Sequence, residues 1–274
     1  MTLLALTRRD ILRLLWRPRS LVLLAYLAAA AWASVSIPNV EDGDGVRSIG
    51  VALTDAIPHA FRDDWSLVAT QALPLVALVT ALIVEDRASG GTWMTVHRAG
   101  GRLRWWSAKL ATAVALAAVL VALSALLVLA AGLARGWDPT LAVSEYARAG
   151  SDIGYGRIGD TSPLTGSAIV LALRFAVLST LALIAIVVAV VIRRPALAYA
   201  LPIILLVVYW RLGARALPVD VEHHADLLSQ AFWDPHARPY DVSWWWTPAV
   251  IALWMLAALA VGRVVVSRAE VTES

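Results

Sequence analysis

Apolar and polar positions fall along this chain in long blocks, and six of the apolar blocks approach the length a membrane-crossing helix needs, about 20 residues. They run Ser20–Ile37, Trp65–Val84, Ala108–Leu133, Ser167–Ile192, Ala196–Leu212 and Trp244–Val266. The fifth is short and contains Pro202, which a bundle tolerates when a neighbouring helix satisfies the carbonyl that proline frees. Residues Thr2–Arg17 read differently. Leu3, Leu4, Ile11, Leu14 and Leu15 share one helical face, while Arg9, Asp10, Arg13 and Arg17 share the other, with Arg8 misplaced among the apolar residues. This pattern predicts an amphipathic helix in the membrane interface with its basic side towards lipid phosphates. A solvated basic leader that only sets topology is the alternative. Pro18 then turns the chain into the first span.

Composition strengthens the membrane reading. The chain is 60% hydrophobic and 16% charged, against about 45–50% apolar and about 25% charged in soluble domains. Charge placement sets the expected orientation. With the N-terminus inside, the inner segments hold 14 basic residues and five acids, and the outer ones eight basic residues and 15 acids. Under the rule that basic loops stay cytoplasmic, both termini lie in the cytoplasm of a multi-pass cell (plasma) membrane protein. The expected fold is an all-α integral membrane protein with six transmembrane helices. Its layout is an N-terminal amphipathic helix over 1–19, a transmembrane domain over 20–266 and a cytoplasmic tail over 267–274. Outer loops would cover 38–64, 134–166 and 213–243. Ala31-Trp32-Ala33 resembles a signal-cleavage site, but the long basic leader and five further spans argue for a retained first span.

Several chemistries lack their residues. There is no cysteine, hence no thiolate nucleophile or thiolate metal site. No G-x-x-x-x-G-K-[ST] loop, H-E-x-x-H or G-x-S-x-G occurs, so no nucleotide site of the phosphate-loop type is expected in this chain. His223, His224 and His236 share one loop with Asp220 and Asp226. These are zinc-ligand types without a zinc-site spacing, and solvated loop histidines are the expectation. Arg174 is the one ionisable residue deep in a span, either snorkelling outwards or facing a polar cavity. The paired Trp105-Trp106 and the triple Trp244-Trp245-Trp246 read as headgroup-level anchors.

Between the second and third spans lies a basic, turn-rich stretch, 85–109. It holds the cluster Glu85-Asp86-Arg87, then Gly91-Thr92, a short helix expected over Trp93–Arg98, the turn Ala99-Gly100-Gly101-Arg102, Arg104, and Lys109 at the start of span three. This stretch, with the six-span layout, resembles the connector between spans two and three in ABC-2 type permeases, the membrane subunits of ATP-binding cassette exporters. The resemblance implies that the connector couples to a separate ATPase, which would bind ATP and Mg, with no cofactor in this chain. Met94 and Val96 would bury in the ATPase, and Arg98, Arg102 and Arg104 would pair with its carboxylates. Thr92 would cap the short helix, and Lys109 would hold span three at headgroup level. A second permease copy or paralogue is the other implied partner, with no nucleic acid. Thr70, Gln71, Thr80 and Arg174 are candidates for a polar pathway lining. The loop stretch Ala225–Trp233 is expected to lay Leu227, Leu228, Ala231 and Phe232 on apolar surroundings. A non-transporting scaffold or sensor subunit docking a cytoplasmic protein remains the alternative class.

Overall fold

The computed structural model describes residues 2–35, 39–42, 45–48, 57, 60–61, 64–88, 96–97, 99–137, 139, 163–192, 194–213, 227–231 and 246–268. It is helical apart from one antiparallel hairpin, β1 (Asn39–Asp42) with β2 (Gly45–Ser48), in register Asn39 to Ser48. The helices are α1 (Leu3–Leu15), α2 (Pro18–Ser34), α3 (Leu73–Ala88), α4 (Arg102–Ala134), α5 (Pro163–Val191), α6 (Pro195–Val208) and α7 (Trp246–Arg268). Among the described residues, four helical stretches are long and apolar enough to cross a membrane: Val68–Arg87, Arg102–Ala134, Thr165–Val191 and Trp246–Arg268. The apolar stretches Ser20–Ser34 and Pro195–Arg211 are shorter.

Local chemistry sets the breaks. The Thr2 hydroxyl accepts from the Ala5 N–H at 3.3 Å and starts α1, satisfying one of the free donors of the first turn. Arg17, forced towards an extended backbone by the following proline, has φ −102° and ψ 148°, and Pro18 opens α2. Before α3 the helix passes through a single turn, Asp64–Leu67, and a π-helical turn, Val68–Ala72. Pro74 has no N–H for the Thr70 carbonyl, a local reason for the ladder to change register here. A π-turn frees carbonyls, and the Tyr26 hydroxyl from α2 donates to that of Ala69 at 2.7 Å.

Helix α5 is the hub, packing against α3, α4, α6 and α7. Val177, Leu178, Ala182, Ile186 and Ala189 on it have no exposed surface. Lipid is as apolar as leucine, so close fit and hydrogen bonds, rather than escape from water, select such contacts in a bilayer. Gly262 of α7 shows the principle: a Cβ there would strike the Trp106 ring of α4. One expectation is corrected here. Trp105 and Trp106 are 6% and 4% exposed, so they pack in the protein interior and do not serve as headgroup anchors. The loop stretch buries Leu227, Leu228 and Ala231, as expected, around the short 3-10 turn Ser229–Ala231, with Gln230 accepting from Thr247 at 3.0 Å. Phe232 lies outside the described residues.

Candidate coupling junction

Among the described residues, the most densely connected polar site lies where α1 meets the end of α3 and the first turns of α4. On α1, Asp10 and Arg13 stand three residues apart and share a face, and Arg17, in the extended link before α2, reaches the same Glu85 as Arg13. The last turn of α3 offers Glu85, Asp86 and Arg87. Consecutive helical residues point about 100° apart, so each reaches a different neighbour. Glu85 takes Arg17 Nη1 at 2.8 Å and lies 3.4 Å from Arg13 Nε. Asp86 takes Arg13 Nη1 at 3.0 Å and Lys109 Nζ at 2.7 Å. Lys109, on α4, also donates to Asp10 at 2.6 Å. Arg87 turns the other way and donates to the carbonyls of Ala189, Val190 and Ile192 at the end of α5, the Ala189 bond measuring 3.0 Å. A cation placed on the last carbonyls of a helix complements its negative end.

Lys109, Asp10 and Asp86 are each about 1% exposed. Ions this far from water lose several kcal/mol of hydration each, which only close partners and extra hydrogen bonds offset. Three carboxylates here face Arg13, Arg17 and Lys109, with Arg9 also 3.2 Å from Asp10. Near-neutrality is the condition for burial. Arg13 and Arg17 therefore pair with acids of α3, and Arg9 with Asp10, where lipid phosphate was the expected partner, while each keeps 32–41% of its side chain exposed. Leu14 is buried while Leu4 is 78% and Trp16 85% exposed, so the faces of α1 are not divided as the leucine pattern suggested. Lys109, expected at headgroup level, sits inside this network.

The connector beyond the junction ends as its glycines require. Gly100 donates to the His97 carbonyl at 3.0 Å and Gly101 to that of Val96 at 3.1 Å, the paired bonds of a Schellman helix stop. Gly100 has φ +82°, a conformation that side-chain-bearing residues rarely adopt. The expected helix stop and turn are therefore present. Val96 is buried within the chain, whereas Arg102 and Arg104 are exposed. Gly91, Thr92, Met94 and Arg98 lie outside the described residues.

A second polar cluster surrounds Arg174. Its side chain is fully buried and does not snorkel. It donates to Gln71 Oε1 at 3.2 Å, to the Phe61 carbonyl at 2.6 Å and to Ser66 Oγ at 2.8 Å, and its guanidinium lies 4.8 Å from the centre of the Phe61 ring. Two pathway candidates, Arg174 and Gln71, are thus brought together. Thr70 and Thr80 bond their own helix, at Ser66 and Val76. Gln71, Thr80 and Arg174 have no exposed surface. Among the described residues no group of metal ligands forms, and His223, His224 and His236 lie outside them.

The ion-pair network escaped the sequence reading, although two oddities marked it: a lone aspartate in a basic leader, and the chain's single lysine. Neither oddity names its partner, because Asp10 and Lys109 stand 99 residues apart. Searches for related proteins find no matching family model, no matching curated protein and no matching solved structure.

Proposed function

We propose that this chain is the permease subunit of an ATP-driven ABC exporter, carrying an amphipathic or hydrophobic cargo and worked by a separate ATPase at connector 85–109. The reading includes six spans and cytoplasmic termini. The 15 residues of Ser20–Ser34 rise only about 22 Å as a helix, so the bilayer thins locally around α2 or flanking residues complete the crossing. A second permease copy faces the first, and ATP and Mg stay with the ATPase.

The observation that carries this reading is how the connector is anchored. At one end Glu85, Asp86 and Arg87 hold α1, α4 and α5, and at the other Lys109 returns to the same network. A load applied between these ends is therefore shared by four helices instead of bending one. Exposed Arg102 and Arg104 in the first turn of α4 suit a carboxylate-bearing surface. The motif resemblance supplies the partner class, since this chain has no phosphate-loop sequence of its own.

The test is purification from native membranes with identification of associated chains. A phosphate-loop ATPase should accompany the protein, and Arg98→Glu with Arg102→Glu should abolish its association or uncouple transport from hydrolysis while insertion persists. Normal assembly and transport in both variants would reject the docking role. Absence of any nucleotide-hydrolysing companion would favour the scaffold reading. Because the natural chain lacks cysteine, Arg102→Cys also reports topology: an impermeant maleimide should leave it unlabelled in intact cells.

A further inference from the structure

Helix α6 rests on α3 and α5, while α7 rests on α5 and α4. Between α6 and α7 a slot with about 160 Å³ of empty space remains. Its floor is Leu181, Ala185 and Val188 of α5, and its side wall is Pro202, Leu206 and Tyr209 of the α6 stretch. On each helix these positions span seven residues, a rise of about 10 Å, so the slot runs parallel to the helices. Proline within a helix removes one ladder bond and bends the rod, and Pro202 stands on this wall. Leu227 closes the end near Tyr209, where its N–H donates to the Tyr209 hydroxyl at 3.1 Å.

The chemistry of the slot selects its occupant. A buried water needs two to four polar partners, and the lining is aliphatic except for Tyr209 and Trp254. A dry apolar cavity of about 150 Å³ takes up hydrocarbon-like guests. The side opening lies at Leu205 and Trp254, 46% and 39% exposed. It is flanked by exposed Leu201, Ile204 and Val208 on α6 and exposed Leu253 on α7, rows that face acyl chains in a bilayer. An opening continuous with lipid, along a slot aligned with the helices, fits one extended hydrocarbon chain.

We propose that this slot holds one acyl chain of a membrane phospholipid, drawn sideways from the surrounding bilayer. Leu205 and Trp254 would flank its entry, and the chain would fill the gap that α6 and α7 do not close themselves. This inference stands independently of the transport reading.

The test uses the full chain in nanodiscs doped with phosphatidylcholine bearing a diazirine in the acyl chain, photolysed and mapped by peptide mass spectrometry. Adducts should concentrate on slot residues such as Leu206 and Val188, severalfold above those on exposed Leu126 and Leu133 of α4. Ala185→Phe, which fills the floor, should remove the slot adducts and leave those on α4. If that variant fails to assemble, the smaller Ala185→Leu should still lower slot labelling in part. Uniform labelling of all lipid-facing residues would overturn the proposal, as would slot residues that stay unlabelled while Leu201 and Leu253 react. The latter result would mean that a second copy or another part of this chain fills the gap.

Discussion

The two sides of this bundle are closed in opposite ways. At the α1 junction, buried charges from three helices bind one another at 2.6–3.0 Å. At the α6–α7 side, apolar walls stand apart around about 160 Å³ of empty space. The contrast follows from directionality. Ion pairs and hydrogen bonds hold their partners at fixed distances, and a missing partner leaves a buried charge. Aliphatic side chains tolerate a gap, since lipid tails serve as neighbours nearly as well as leucine does. The junction is therefore suited to transmitting a displacement, and the slot to changing its contents.

The largest expected effect breaks the junction. Lys109→Met leaves Asp10 and Asp86 buried without their ammonium, and loss of one partner of a buried pair costs about 3–5 kcal/mol. Thermal unfolding in detergent should show it. Asp86 keeps Arg13 at 3.0 Å and Asp10 keeps only Arg9, at 3.2 Å, so adding Asp10→Asn should recover part of the loss. No recovery would mean that Asp10 is not the stranded charge. A closer comparison sets Leu178→Ala, in the packed hub of α5, against Leu206→Ala, on the slot wall. Buried Leu→Ala changes cost about 2–5 kcal/mol according to how well the site collapses. The slot variant should fall below the hub variant in the same unfolding assay, and equal losses would deny that the two regions differ in packing.

Gly262→Ala probes tight packing near the junction. Overpacking costs about 1–3 kcal/mol, and Trp106→Leu should suppress the loss in a double-mutant cycle if the ring is the obstacle. The smallest stability effect belongs to Arg102→Glu, at an exposed site where changes usually stay within about 0.5 kcal/mol. Its melting point should hardly move while ATPase association weakens. A large drop in melting point would place Arg102 among the structural charges instead of at the docking face.

Much of the architecture was legible in one dimension. Apolar blocks found the long helices, Pro18 marked the α1–α2 corner, and Gly100-Gly101 marked a helix stop, because each is a local preference of the backbone or of a segment for lipid. The direction in which each charge points was not local. Arg9, Arg13 and Arg17 have the periodicity of a lipid-facing stripe, and only the approach of α3 supplies Glu85 and Asp86 to draw Arg13 and Arg17 inwards. Trp105 and Trp106 have the composition of interfacial anchors, and the glycine at 262 gives Trp106 an interior place.

Sequence by itself marked the long apolar segments that form the four longest apolar helices among the described residues, since preference for lipid over water sums over the residues of one helix. Tertiary structure decided which cations are paired, that Arg174 and Gln71 meet, and where α6 and α7 leave space. Those outcomes depend on distances between residues up to 113 positions apart, and Coulomb and packing energies are set by distance in space, to which separation along the chain is no guide.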